Sequence, residues 1–64
     1  MRFIMLEEYK TGDDIVLVVE DIKDVTVGID GSTKVSMKYE DNTVYTVCES
    51  PYDVYQEILR SVPL

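Results

Sequence analysis

The sequence predicts an α+β fold: a small, strongly bent five-stranded antiparallel β-meander, an SH3-like half barrel, with one C-terminal α-helix. Two observations carry this reading. Short runs of β-branched and aromatic residues recur between turn residues along most of the chain, the pattern of a meander. The last third then changes from strand chemistry at Thr43–Cys48 to a capped, amphipathic helical stretch.

In chain order, residues 2–9 read as a first strand, with Phe3, Met5 and Tyr9 on one face and Ile4 and Leu6 on the other. Lys10 to Asp14 form a turn in which Gly12 supplies positive φ. Residues 15–19 are an unbroken apolar run of strand length. Neither strand alternates as a sheet with one wet face should, so both need cover on two sides. Glu20 to Asp24 read as a tight helical turn with Ile22 pointing inward, and Val25, Val27 and Ile29 alternate in a third strand. Asp30-Gly31-Ser32 is the next turn; it lacks the further carboxylates of an EF-hand loop.

Residues 33–40 place Val35, Met37 and Tyr39 on one face and Lys34, Ser36, Lys38 and Glu40 on the other. A two-residue loop at Asp41-Asn42 would pair Tyr39 with Val44 and set Tyr45 and Val47 among the lysines. A three-residue loop with Asn42 left-handed pairs Met37 with Tyr45 and Val35 with Val47, and collects the apolar residues on one face. Burial favours the second register. Ser50 stands at a helix N-cap, with Pro51 in the first turn and Asp53 three residues on. The helix should run to about Ser61, with Tyr52, Val54, Tyr55, Ile58, Leu59 and Val62 within one arc.

Composition narrows the function. Residues 1–64 make a single domain, too short to bury much of its surface alone. One cysteine and no histidine leave no internal disulfide and no zinc site. Self-association is the remaining remedy, and a homo-oligomer, dimer or tetramer, is expected. Thirteen acidic residues against six basic ones, a net charge of −7, repel duplex nucleic acid and anionic membranes. The acidic pairs Glu7-Glu8, Asp13-Asp14, Glu20-Asp21 and Glu40-Asp41 read as solvated turns and strand ends. No secretory h-region or membrane-spanning run is present, so a cytoplasmic protein is expected.

No enzyme is expected, and no cofactor: there is no histidine for acid–base work and no activating partner for Cys48, although a nearby helix N-terminus could lower its pKa. Two lysines and a serine share one strand face at Lys34-x-Ser36-x-Lys38. They could hold a small anion, or they are solvated cations that discourage edge aggregation. Five tyrosines suit interfaces and base stacking; Tyr45, Tyr52 and Tyr55 read as core or core margin, while Tyr9 and Tyr39 lie near strand ends.

Taken together, Phe3-Ile4-x-Leu6, Gly12 before an apolar strand, Ile22, Val35-x-Met37-x-Tyr39, Asp41-Asn42 and Tyr45-x-Val47-x-Glu49-Ser50-x-x-Asp53-Val54 with Ile58 form a pattern that resembles the small FlbD-like proteins of flagellar and swarming operons in Bacillota. It is similar also to short uncharacterised proteins of Bacillota and their phages. Asn42 stands where the family commonly has glycine, and the second strand lacks the asparagine that the flagellar proteins often carry there. In general type, without a shared motif, the chain is similar to phage anti-defence "sponges" that sequester nucleotide immune signals. That comparison implies a non-enzymatic phage-type oligomer in the host cytoplasm, binding a cyclic nucleotide to block anti-phage defence. Lys34, Lys38 and Ser36 would meet its phosphate, and Tyr39 or Tyr9 would stack on a base. The FlbD-like alternative implies a protein-interaction adaptor with no small ligand.

Overall fold

A computed structural model describes residues 1–39 and 42–63. The fold is α+β, with five strands in two antiparallel sheets and one C-terminal helix. β1 (Phe3–Glu7) and β2 (Asp14–Val18) form a hairpin. A single 3-10 turn over Val19–Asp21 leads into β3 (Ile22–Val27). β4 (Thr33–Met37) and β5 (Val44–Val47) complete a three-stranded sheet in the order β3-β4-β5. The helix α1 spans Pro51–Arg60.

The single five-stranded meander is therefore corrected to a hairpin plus a three-stranded sheet. The break lies between β2 and β3. The chain bends through the turn at Val19–Asp21, so Ile22 continues away from β2 and pairs with Met37 instead. The third strand starts earlier than its alternation suggests, at Ile22 rather than Val25, and ends at Val27, which leaves Ile29 in the following turn and fully exposed. A register shift between Ile22 and Asp24 lets both Ile22 and Val25 face inward despite their odd spacing. The sheets still touch. A bridge pairs Glu8 with Val47, the Tyr9 N–H donates to the Thr46 carbonyl at 2.9 Å, and the Cys48 N–H donates to the Glu7 carbonyl at 2.9 Å.

The core lies between the sheets. Ile4, Leu6, Leu17 and Val19 enter it from the hairpin side, Val35, Met37 and Val47 from β4 and β5, and Val54 from the helix. The β4–β5 register pairs Val35 with Tyr45 and Thr33 with Val47. It is displaced by two residues from the expected register. An even slip keeps every side chain on its expected face, so Val35, Met37, Tyr45 and Val47 remain on the inner side. The extra residues go into the connection, where the Met37 N–H meets the Thr43 carbonyl and Asn42 adopts φ 53°. Asn42 is thus left-handed as expected. Glu40 and Asp41, the other residues of the expected loop and one of the acidic pairs, lie outside the described residues.

Both glycine turns form as read, with Gly12 at φ 72° and Gly31 at φ 83°. Asp30 closes the second: its Oδ1 accepts from the Ser32 N–H at 3.1 Å and from the Ser32 hydroxyl at 2.6 Å. Those bonds, the hydroxyl's first, hold the Asp30 carboxyl below its ordinary pKa.

Helix α1 begins on its cap. The Ser50 hydroxyl accepts from the Asp53 N–H at 3.1 Å, Pro51 follows, and Asp53 and Arg60 sit at the ends the helix dipole favours. The helix packs on β1 and β3 along a narrow row, with Val54 buried and Ile58 half-buried. Tyr52, Tyr55, Leu59 and Val62 fall outside that row and are exposed. Tyr52 and Tyr55 are thus surface residues rather than core or core margin, because two short sheets offer the helix one groove and its apolar arc is wider than that groove.

Replacing Ser50 with Ala should cost about 1 kcal/mol, the usual loss for a serine N-cap. Chemical denaturation measures this; an unchanged midpoint would mean that the hydroxyl does not carry the helix start.

Candidate functional site

Two surfaces compete as the functional site: the lysine-bearing face of β4 and the outer face of the hairpin. On the first, Lys34 and Ser36 point away from the core. Cross-strand pairing sets Lys34 between Thr26 and Thr46, and Ser36 between Asp24 and Val44. Lys38 follows the end of β4 and is exposed. Lys34 and Ser36 thus share one face of β4, while Lys38 lies beyond the strand.

Its most buried cation is already engaged. The Lys34 Nζ donates to the Thr46 hydroxyl at 2.8 Å. The Lys34 stem lies across Gly28, where an added Cβ would stand 2.9 Å from Cε and 3.0 Å from the Asp30 carboxylate. Asp30 and Lys34 attract each other electrostatically. An ammonium has three donors, so Lys34 can keep its bond to Thr46 while meeting an incoming phosphate, which would share the lysine's charge with Asp30.

The two tyrosines are not brought together. Tyr9 lines a cleft of about 270 Å³ with Thr33, at the start of β4. Tyr39 lies two residues beyond Met37, at the opposite end. Thr33 and Met37 alone are about 13 Å apart at strand rise. Within one chain, Tyr9 and Tyr39 cannot stack on the same base.

The hairpin surface is built by pairing. β1 and β2 pair Phe3 with Val18 and Met5 with Val16 on one face, and Ile4 with Leu17 and Leu6 with Ile15 on the other. The second face is the core face. The first is left open: Met5 is 58% exposed and Val16 63%, with Phe3 at 36%. Beside it, Val62, Glu57 and Arg60 form the far wall of a cleft of about 300 Å³ along β1. Arg2 marks one end of the face. Its backbone N–H reaches Glu20 Oε1 at 2.9 Å and its Nε reaches Oε2 at 3.1 Å. The backbone bond first, then the guanidinium, lowers the Glu20 carboxyl pKa. Glu7 and Asp14 are cross-strand partners at the other end.

Chemistry elsewhere is sparse. Among the described residues, no group of three or more Cys, Asp or Glu could hold a metal ion, and no helix is long and apolar enough to cross a membrane. Cys48 is exposed, and its Sγ lies 3.9 Å from the Glu8 carbonyl. The expectation of a lowered thiol pKa is corrected: it is raised, by local desolvation of the sulfur first, then by Glu7 and Glu49. Sequence reasoning missed Glu49's role because its partner is distant in the chain. Its carboxylate accepts the Glu7 N–H through both oxygens, each at 3.1 Å.

The reaction of Cys48 with a neutral thiol reagent should accordingly show a pH midpoint above the roughly 8.5 of a free thiol. Glu49→Gln should lower that midpoint; a wild-type midpoint below the free-thiol value would contradict the electrostatic account. Comparison of the chain with protein-family profiles, with curated protein sequences and with solved structures finds no match.

Proposed function

We propose that the protein is a non-enzymatic protein-interaction adaptor, and that its working surface is the outer face of the β1–β2 hairpin. The observation that carries this reading is the uncovered apolar set Phe3, Met5 and Val16, with half-buried Val18 beside it. A bare apolar face on a small domain marks a surface meant to be covered. The core does not need these side chains, because the opposite face of the same strands supplies Ile4, Leu6 and Leu17. The exposed flank of α1, with Tyr52, Tyr55 and Leu59, adds residues of interface type.

A second reading rests on Lys34 and Ser36 sharing one face of the sheet, with Lys38 just beyond β4. In it, the chain is a phage-type oligomer, dimer or tetramer, that holds a cyclic nucleotide between subunits, with Tyr39 or Tyr9 stacking on a base. It ranks second because the Lys34 charge is already shared with the Asp30 carboxylate of its own chain.

One set of melts separates the two. Binding to the native state alone raises stability by mass action, about 2.7 kcal/mol at a hundredfold excess over Kd. The adaptor reading predicts no shift with cyclic di- and trinucleotides or cyclic ADP-ribose isomers. It also predicts that a Met5→Glu/Val16→Lys variant, whose new charges are opposite in sign across the strands, keeps its melting temperature but loses the partner captured by the wild type. A nucleotide-dependent shift abolished by Lys34→Ala/Lys38→Ala, with light scattering reporting an oligomer, would replace the adaptor by the sequestering protein.

A further inference from the structure

Resting on the adaptor reading, the structure assigns a docking mode and a partner chemistry. We propose that the free edge of β2 accepts an extended segment of a partner protein as a third strand of the hairpin sheet. That segment carries a basic residue and two apolar residues at alternate positions.

The backbone provides the first observation. The Glu8 N–H donates to the Asp13 carbonyl and the Val19 N–H to the Arg2 carbonyl, each at 2.8 Å. Hydrogen-bonded and open pairs alternate along an antiparallel ladder. Phe3–Val18, Met5–Val16 and Glu7–Asp14 are therefore the open pairs, whose N–H and C=O groups point away from the hairpin. On β1 that side is partly covered. Glu49 takes the Glu7 N–H, β5 approaches at Glu8, and Pro63 bridges to Arg2. On β2 the groups of Asp14, Val16 and Val18 face outward, and among the described residues β2 pairs with no strand other than β1.

The second observation is the contrast between the two outer edges. β3 carries Lys23 and Asp24, a register shift and the neighbouring helix, devices that discourage edge pairing. β2 reads Asp14-Ile15-Val16-Leu17-Val18, with no proline, no lysine and an unbroken register. It is an edge without a guard.

Charge selects the occupant. A residue paired with Val16 or Val18 would project on the outer face, beside Met5 and Phe3, where apolar side chains cover the bare patch. A residue paired with Asp14 would project beside the Asp14–Glu7 pair. Arg2–Glu20 is the only ion pair among the described residues, so Asp14 has no cation of its own. Lysine or arginine at that position would pair with Asp14 across the strands. A second copy of the chain fits less well. Two-fold pairing about Val16 would set Val18 of the other copy against Asp14 and join two chains of net charge −7. The partner is therefore an extended segment reading basic, any, apolar, any, apolar along the outer face. Main-chain bonds supply affinity and the alternate side chains supply selectivity, as in other strand-addition complexes.

Peptides selected from a random display library against the full chain provide the test, with amide exchange of the protein as readout. The expected consensus alternates apolar residues and places Lys or Arg at one end. A bound synthetic consensus peptide should slow exchange of the Val16 and Val18 amides. Its N-methylation at the edge-facing positions should abolish binding, and Asp14→Asn should weaken it by about tenfold. A peptide that binds without protecting Val16, yet is lost in Met5→Glu, would overturn strand addition while leaving the adaptor reading in place. Failure to select any binder would overturn both. Concentration-dependent protection of Val16 without peptide would assign the edge to a second copy instead.

Discussion

The hairpin β1–β2 is apolar on both faces, and the rest of the described fold covers only one. Most of the structure follows from which face is chosen. Ile4, Leu6 and Leu17 turn inward and are nearly inaccessible. They meet Val35, Met37 and Val47 of the second sheet, and Val54 fills the gap that remains. Burying one such aliphatic side chain is worth roughly 1.5–3 kcal/mol, so the choice is decisive for a domain of this size. Phe3, Met5 and Val16 are left on the outside by the same choice, since adjacent residues in a strand point to opposite faces.

The two sheets are held in register by few contacts. The Glu8–Val47 bridge and the backbone bonds from Tyr9 and Cys48 tie β1 to β5. Glu49 extends this seam by accepting the Glu7 N–H, which would otherwise face outward from β1. The next residue, Ser50, caps the helix, and Pro51 starts it. Four successive residues, Cys48 to Pro51, therefore close the seam and launch the helix that plugs the core. The consequence falls on Cys48, whose thiol pKa is pushed up by local desolvation first and then by Glu7 and Glu49.

Local signals in the sequence predicted local features well. The Ser50 cap, the turns at Gly12 and Gly31, the left-handed Asn42 and the inward set Val35, Met37, Tyr45 and Val47 each follow from one residue type or one period. Long-range features were hidden. Nothing near Val19–Asp21 says that the sheet divides there, since an apolar run and an acidic turn are equally compatible with continued pairing. The exposure of Tyr52 and Tyr55 depends on the width of a groove made by distant strands. For the candidate site, spacing correctly placed Lys34 and Ser36 on one face, but the bond from Lys34 to Thr46 and the separation of Tyr9 from Tyr39 arise only from tertiary pairing. The two-sided character of the hairpin was legible from its lack of alternation; its unguarded edge had a signal too, the absence of lysine and proline between Asp14 and Val18.

The division of the hairpin into a structural face and a working face is the central claim, and neighbouring residues of β1 test it directly. Leu6→Ala and Met5→Ala remove comparable apolar bulk one position apart. Equilibrium denaturation should show Leu6→Ala losing about 2–5 kcal/mol, the range for a buried leucine. Met5→Ala should stay within about 0.5 kcal/mol of wild type, as for an exposed position. Equal losses at the two positions would contradict the account, because both faces would then be structural.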